Sequence, residues 1–369
     1  MILSPFCSQK TQSEDCGSVL AILHNLWNRV RLNLRAVRLA VSGIWMDNAD
    51  VANSYNHLAD TYDERWASQL RTTTDRLHQR LPDVLEKDGT ILELGCGSGT
   101  STLFLRNKYA ETPIIAVDIS SGMIEHAKIK LSTDMSHSPP IVIPAQAGIQ
   151  KNRLRITRLD SGLRRNDGLC NGANANPSVE FHIGDMLDFL RQRRDNEAAL
   201  IFSGWAIGYS QPAAIIAEAS RVLRPEGQLA IIVNRFDTMP AVFNAFRQTM
   251  RRYPNALGKA LLPRFPKSAD VLAQSLKHNG FRIDFLEEGA VPIELLAENR
   301  LDWLLGTGIL AGFDAVLPLR VPGEIRNYFA EVLDQTATGW EHRFVILVAV
   351  KRAKHKTLST DYTDFPKIQ

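Results

Sequence analysis

A glycine-rich string preceded by an acidic residue points most directly to chemistry in this sequence. It runs from Glu93 to Thr100 as E-L-G-C-G-S-G-T and directly follows a short apolar segment. Glycines at this spacing allow a tight turn and let a ligand approach backbone N–H groups at the start of a helix. The fingerprint of dinucleotide-binding proteins would need its third glycine at Thr100, so the spacing argues against a nicotinamide cofactor.

Two further acidic residues end apolar segments of the chain. Asp118 closes the segment 114–118, where a carboxylate can accept both hydroxyls of a ribose. Asp185 and Met186 follow the segment 179–183, where an acid and an apolar side chain can border an adenine. Ligand sites in open α/β sheets lie at the carboxyl ends of strands. The sequence therefore predicts a nucleoside-containing ligand at one edge of a sheet.

The elements that must position these residues alternate between strand and helix. Helical segments are predicted at 53–85, 100–109, 121–131 and 212–223, and a turn is predicted at 224–227. The strands are predicted at 90–94, 114–118, 179–183, 198–202, 228–233, 281–286 and 344–350. This rhythm favours an α/β fold with a seven-stranded, mostly parallel sheet covered by helices on both faces. Apolar helical segments at 235–279 and 291–341 are predicted to form a cap.

These features resemble the class I S-adenosylmethionine-dependent methyltransferases of the type that acts on small molecules, which have a Rossmann-like sheet. The resemblance places this domain at 46–352. It implies that S-adenosyl-L-methionine is bound by residues of the three strand ends: Glu93, Gly95, Gly97, Gly99, Asp118, Ile119, Met123, Asp185 and Met186. Ser203 and Trp205, which follow the fourth strand, are added as cofactor candidates from the chemistry of the chain itself. Many relatives carry an acidic or Asn-containing stretch after strand four, whereas this chain reads F-S-G-W-A-I-G at 202–208. Backbone carbonyls of Gly95 and Ser203 are therefore the candidates to hold the methionine amino group.

Catalytic groups are harder to assign than cofactor groups, because a sulfonium methyl group needs alignment with its acceptor more than activation. The candidates are His57, Tyr62 and His342. Tyr62 is equally interpretable as a packing residue, and a lone histidine is more often structural than catalytic. Tyr62 and Trp205 are candidates for holding the sulfonium by cation–π attraction. No set of residues has the spacing of a metal site.

The acceptor class is inferred mainly from missing motifs and from the apolar cap. No Asn/Asp-Pro-Pro-Tyr/Phe string follows strand four and no Pro-Cys pair occurs, so a nucleic-acid acceptor is not expected. A small-molecule or lipid-like acceptor, or one bound to an acyl carrier, would suit the cap. Two alternatives stay open: a non-catalytic module that binds cofactor or a partner, and, as the runner-up enzyme class, an NAD(P)-dependent oxidoreductase.

Three segments look like additions to this domain. Residues 1–45 are predicted to be disordered or a basic amphipathic helix, with membrane-surface contact through 18–45 as an alternative function. Residues 135–178 resemble translated genomic repeats and are predicted to be an inserted disordered loop; a basic loop that grips a partner is the alternative. Residues 353–369 are predicted to be a disordered tail.

The net charge and the cysteine content bear on the charge of the substrate and on the redox compartment of the protein. The formal charge of the 369-residue chain is +3. The three added segments carry +3, +4 and +1, so the remainder carries −5 and gives no indication of a polyanionic substrate. The four cysteines have no disulfide-framework spacing, and a reducing cytoplasmic compartment is expected.

Overall fold

The computed structural model describes residues 11–86, 88–135, 178–261, 264–295 and 299–353, with side chains from residue 23 onward except that of Met135. The predicted inserted loop 135–178 and tail 353–369 lie outside these residues apart from their outermost positions. Both therefore stay predictions.

Within the described residues, seven strands form one mixed sheet. They are β1 Thr90–Leu94, β2 Ile114–Asp118, β3 Val179–Ile183, β4 Ala198–Gly204, β5 Leu223–Asn234, β6 Phe281–Pro292 and β7 Glu341–Lys351. The strand order is β3-β2-β1-β4-β5-β7-β6. Strands β1 to β5 are parallel, and β7 pairs antiparallel with both β5 and β6. The predicted seven-stranded, mostly parallel sheet is confirmed.

Eleven α-helices accompany this sheet in the described part of the chain. They are α1 Thr11–Val41, α2 Asn48–Tyr62, α3 Ser68–His78, α4 Thr100–Lys108, α5 Ser121–Met135, α6 Met186–Arg191, α7 Pro212–Val222, α8 Pro240–Arg252, α9 Ala269–His278, α10 Arg300–Leu305 and α11 Glu324–Asp334. A π-helical turn, Asp63–Ala67, joins α2 to α3 without a break. The long helix predicted at 53–85 is thus observed with different bounds.

Two local predictions were wrong. The predicted turn at 224–227 is an irregularity inside β5: Ala198 pairs with Leu223, whereas Leu200 already pairs with Gln228. The extra residues are accommodated where Glu226 adopts a φ of 63°. Helix α6 was missed, because six residues are too few to show a helical period.

The sheet is covered on both faces, as predicted. On one face, apolar side chains of α6, α7 and α9 pack against alternate strand residues such as Leu92, Ile201 and Leu347. On the other face, side chains of α3 and α4 pack against Ile91 and Phe202. Strands that are buried on both sides explain the continuous apolar runs in the sequence.

A second apolar cluster lies outside the sheet layers and forms the cap. It joins α8, α10 and α11 to the start of α3 through residues such as Phe246, Leu304, Phe329 and Leu70. Helix α9 packs on the sheet and not in this cluster. The stretch 235–279 therefore contributes α8, but not α9, to the cap.

Helix α1 lies against the body through Leu39, which packs with Leu257 and Val316. Arg35 Nε also donates a 3.1 Å hydrogen bond to the carbonyl of Leu257. In the described part of the chain, no helix has the length and apolar content needed to cross a membrane.

Candidate cofactor and acceptor site

The loop between β1 and α4 carries three glycines with positive φ, each for a different reason. A Cβ on Gly95 would lie 2.1 Å from Ala206 Cβ, because the loop packs against the segment after β4. A Cβ on Gly99 would lie 2.8 Å from Ala127 Cβ, where α4 meets α5. A Cβ on Gly97 would meet no described atom within 4 Å, so this backbone faces open space that a ligand can enter.

Asp118 ends β2 directly beside this loop. Its Oδ2 accepts a 2.8 Å hydrogen bond from Gly97 N, and its Oδ1 accepts a 2.9 Å bond from Ser120 N. Burial raises the pKa of the carboxyl group, while these backbone donors act in the opposite direction. The carboxylate is thus held rigidly at the strand end, next to Ile119 and Met123.

Asp185 caps the amino terminus of α6 and also contacts α2. Its Oδ1 accepts hydrogen bonds from the backbone N–H of Leu187, at 2.8 Å, and of Asp188, at 3.0 Å. Its Oδ2 accepts a 2.9 Å bond from Asn48 Nδ2. The end of β3 is therefore joined to the first turn of α2.

A cavity, the strand-end cavity, lies between these strand ends and α2. Most of the predicted cofactor residues line it: Gly95, Gly97, Asp118, Ile119, Met123, Asp185, Met186 and Trp205. The catalytic candidate Tyr62 lines it too. The structure adds residues that the sequence did not indicate: Asn48, Val51, Tyr55, Val117, Gly184, Gly204, Ala206, Tyr209 and Ser210.

Three predicted cofactor residues do not line the strand-end cavity. Gly99 is enclosed by α5, as described above. Ser203 is fully buried, and its hydroxyl donates a 2.8 Å hydrogen bond to the carbonyl of Leu94, which joins β4 to β1. Glu93 lies beneath the loop and lines an adjoining cleft instead.

Glu93 is a buried acid whose burial raises its pKa to about 8. Its Oε2 has no hydrogen-bond partner among the residues that the structure describes. The cleft beside it also contains Gly95, Tyr62 and Trp205, so it continues from the strand-end cavity. Glu93 can therefore offer a neutral carboxyl group to a polar ligand group at this point.

Helix α2 closes the strand-end cavity and is held in place by polar contacts. Asn56 Oδ1 accepts hydrogen bonds from Ser120 Oγ at 2.7 Å and from Gly122 N at 3.1 Å. On the cap side, Ser54 Oγ donates a 2.8 Å bond to Asp314 Oδ1. The helix therefore links the sheet to the cap directly over the cavity.

Three tyrosines form an aromatic wall of the cavity. The ring centroids of Tyr55 and Tyr62 are 5.9 Å apart, and those of Tyr55 and Tyr209 are 6.0 Å apart, both edge to face. Burial raises the pKa of all three phenols, so they stay neutral near pH 7. Aromatic faces around unfilled space attract a cation. Tyr209, in a short 3₁₀ turn, gave no periodic signal in the sequence.

Trp205 stands where β4 ends and has an unusual positive φ of 65°. Its Nε1 donates a 2.9 Å hydrogen bond to Thr74 Oγ1. Its ring centroid lies 4.7 Å from that of His342. The indole is thus fixed between the strand-end cavity and β7.

A second, narrow cavity, the cap cavity, lies on the other side of Tyr209. Its lining is mainly apolar and comes from the cap and from the ends of β5 and β7: Tyr209, Asn234, Thr238, Met239, Val242, Phe243, Phe246, Phe265, Ile309, Leu310, Phe313 and His342. A surface cleft lined by Trp45 and Arg264 also reaches Tyr209. Tyr209 therefore borders the strand-end cavity, the cap cavity and the entrance from solvent.

The two histidine candidates lie in different environments. His342 is buried in the cap cavity, and burial lowers its pKa to about 3. Neither its Nδ1 nor Asn234 Oδ1 has a hydrogen-bond partner among the described residues. His57 is exposed, with its Nδ1 2.6 Å from the carbonyl oxygen of Asn53 on its own helix, and it lines neither cavity. The structure therefore offers no support for His57 as a catalytic base.

Comparison with known proteins shows that part of this site lies in a segment that matches a family model. Residues 91–146 match a family model described as a methyltransferase domain. The part of this match that the structure describes runs from β1 through α5 and includes the glycine loop and Asp118. The glycine loop and Asp118 thus lie in a segment that is similar to known methyltransferase domains.

Two curated relatives that match parts of this chain have the same name. A malonyl-[acyl-carrier protein] O-methyltransferase from Priestia megaterium is 39% identical over 80 residues, which are 22% of this chain and 29% of that protein. One from Hahella chejuensis is 28% identical over 185 residues, which are 50% of this chain and 49% of that protein. The chain thus covers at most about half the length of these two relatives.

A solved structure with a similar course of the chain is the geranyl diphosphate C-methyltransferase of Streptomyces coelicolor. It is 12% identical with a TM-score of 0.39, over 77% of this chain and 79% of that one. Among the described residues, no group of three metal-binding side chains accompanies the methyltransferase domain.

Proposed function

We propose that this protein transfers a methyl group from S-adenosyl-L-methionine to a small-molecule or acyl-chain acceptor bound beneath the cap. The observation that carries the proposal is the strand-end cavity. It combines an open glycine backbone, a fixed carboxylate and an aromatic wall directly beside a second, apolar cavity. A nucleoside-bearing methyl donor and an apolar acceptor need such adjoining compartments.

The residues of the strand-end cavity fit the methyl donor. Asp118 would accept the ribose hydroxyls, because its carboxylate is buried and held at the edge of the open space beside Gly97. Met123 and Met186 provide apolar surface for the adenine. Glu93 would meet the amino-acid end of the donor from the adjoining cleft.

The bound donor supplies an electrophilic methyl group on a positively charged sulfur. The faces of Tyr55, Tyr62 and Tyr209 would stabilise that charge, and their neutral phenols add no competing negative charge. Helix α2 excludes water over the same space. The chain's own contribution is then alignment of donor and acceptor, which can account for a large part of a rate enhancement.

The acceptor would enter past Trp45 and Arg264 and place its reactive atom near Tyr209. The cap cavity holds no strong base, because the pKa of His342 is lowered to about 3. An alcohol or phenol acceptor needs a base of matched pKa, whereas a carboxylate needs none. Two charged side chains line the entrance among the described residues, the cation Arg264 and the carboxylate Asp47, so the preference for a carboxylate rests mainly on the missing base. We therefore favour a carboxylate acceptor, and the name shared by the curated relatives is consistent with it.

Calorimetry with S-adenosyl-L-methionine, S-adenosylhomocysteine and NAD tests the donor site. We expect the first two to bind and NAD not to bind. Replacement of Asp118 by Ala should weaken the affinity for the first two by more than tenfold, since a buried pair of hydrogen bonds to the ribose is lost. The control is Asp188→Ala, which removes an exposed carboxylate outside the cavity.

Two outcomes would contradict the proposal. Preferred binding of NAD would support an oxidoreductase. Tight donor binding with no turnover over a broad set of carboxylate, hydroxyl and thiol acceptors would support a non-catalytic binding module. If the Asp118→Ala variant binds S-adenosyl-L-methionine with unchanged affinity, Asp118 does not bind the ribose, but the rest of the proposal is unaffected.

A further inference from the structure

Helix α1 carries a continuous apolar stripe on the side that faces away from the body. Leu23, Trp27, Val30, Leu34, Val37 and Val41 recur at alternating spacings of four and three residues, and each is exposed. Leu34 is 64% exposed and Val41 is 84% exposed. The stripe is about 27 Å long at 1.5 Å per residue. Exposed apolar patches of this extent normally mark a binding surface.

The charge around the stripe is positive on both sides. No acidic residue occurs between Cys16 and Met46, whereas four arginines do. Arg31 and Arg38 flank one edge of the stripe on the helical period. Beyond the other edge, a groove between α1 and α8 contains Arg29, Arg247, Arg251 and Arg252. None of the residues lining this groove is acidic.

We propose that α1 and the α1–α8 groove dock on an anionic lipid membrane, independently of the methyl-transfer proposal. The apolar stripe would lie in the interface between headgroups and acyl chains, and the arginines would contact phosphate groups. Trp27 and Trp45, both exposed, lie towards opposite ends of this surface, and tryptophan favours the membrane–water interface.

A second copy of the chain suits this surface less well. An antiparallel pair of α1 helices would bring Arg31 and Arg38 towards the same residues of the partner helix. A parallel pair would place Val30 and Val37 where two-stranded coiled coils favour leucine. An anionic membrane can take up the apolar stripe among its acyl chains and pair its phosphate groups with the surrounding arginines.

Vesicle flotation tests this inference with the full chain. The probes are vesicles of phosphatidylcholine alone and of phosphatidylcholine with an equal amount of phosphatidylglycerol, at about 0.1 M salt. We expect binding to the anionic vesicles only. A Leu34→Asn, Val37→Asn double variant should bind at least tenfold less. Replacing both Arg247 and Arg251 by Gln should weaken binding several-fold and reduce its salt dependence.

The control is Val84→Asn, which replaces an even more exposed apolar residue elsewhere on the surface and should bind like the parent chain. Circular dichroism and donor calorimetry establish that each variant is folded. Three results would overturn the inference: no binding to anionic vesicles, equal binding by the Leu34 and Val37 variant, or a dimer in sedimentation velocity that this variant dissociates. The last result would assign the stripe to a second copy.

Discussion

The strand-end cavity and the cap cavity share Tyr209 but are built in opposite ways. In the first, the floor is formed by backbone turns and carboxylates at consecutive strand ends, which short sequence motifs encode, while α2 and Tyr209 complete the walls. The second is lined mainly by apolar side chains from segments between Tyr209 and His342, around two buried polar groups without described partners. The proposed donor site thus depends largely on local motifs, whereas the proposed acceptor site depends on long-range packing.

Replacing Gly95 or Gly97 of the loop by alanine should damage the strand-end cavity in two different ways. Of all the substitutions predicted here, Gly95→Ala should have the largest effect on stability. Gly95→Ala places a methyl group 2.1 Å from Ala206 Cβ at a positive φ, and should cost roughly 3–5 kcal/mol of stability. Gly97→Ala has space for its methyl group and should cost about 1 kcal/mol, from its φ of 54°.

Chemical denaturation measures the two stabilities, and calorimetry measures donor affinity. Gly97→Ala should stay folded but bind the donor at least tenfold more weakly, because its methyl group would occupy ligand space. If Gly97→Ala binds the donor normally, the open face of this backbone is not where the donor lies. Equal stability of the two variants would contradict the packing role of Gly95.

The features that could be predicted from the sequence are those that local motifs encode, and the features that were missed depend on long-range packing. The bounds of β1, β2 and β3 were predicted to the residue, because buried parallel strands are short continuous apolar runs between clear breaks. Asp118 and Gly97 were found by their place at strand ends. Tyr209 and Asn48 were not, since a short 3₁₀ turn and a helix start carry no signal of what they face.

The cleft that adjoins the strand-end cavity and the cap cavity should also differ in the pH dependence of stability. The pKa of Glu93 is raised from 4.5 to about 8, so the folded state holds a proton that the unfolded state loses. Its stability contribution is present below pH 4.5 and is lost as the pH rises towards 8. The pKa of His342 is lowered from 6.5 to about 3, so its contribution is present above pH 6.5 and is lost as the pH falls towards 3.

The two effects have opposite signs and should cancel between about pH 4.5 and 6.5. Each has a limiting slope of about 1.4 kcal/mol per pH unit. Urea denaturation of Glu93→Gln should therefore show less loss of stability between pH 6.5 and 8 than the parent chain. His342→Gln should show less loss below pH 4.5. Parallel curves for parent and variant would mean that the residue keeps its ordinary pKa in the folded state.

The smallest expected effect concerns the entrance to the cap cavity, and it tests whether acceptor recognition is electrostatic. Arg264→Ala should raise KM for a malonyl thioester acceptor about tenfold, or roughly 1.4 kcal/mol, with kcat changed less, because the arginine lies at the entrance and not beside the reacting atoms. Lys267→Ala removes an exposed charge of the same sign that lines no cavity, and should leave KM unchanged. The difference between the two variants should shrink as salt screens Arg264. Equal KM values in both would mean that the acceptor is selected by the apolar lining alone, so that a carboxylate has no advantage at this site.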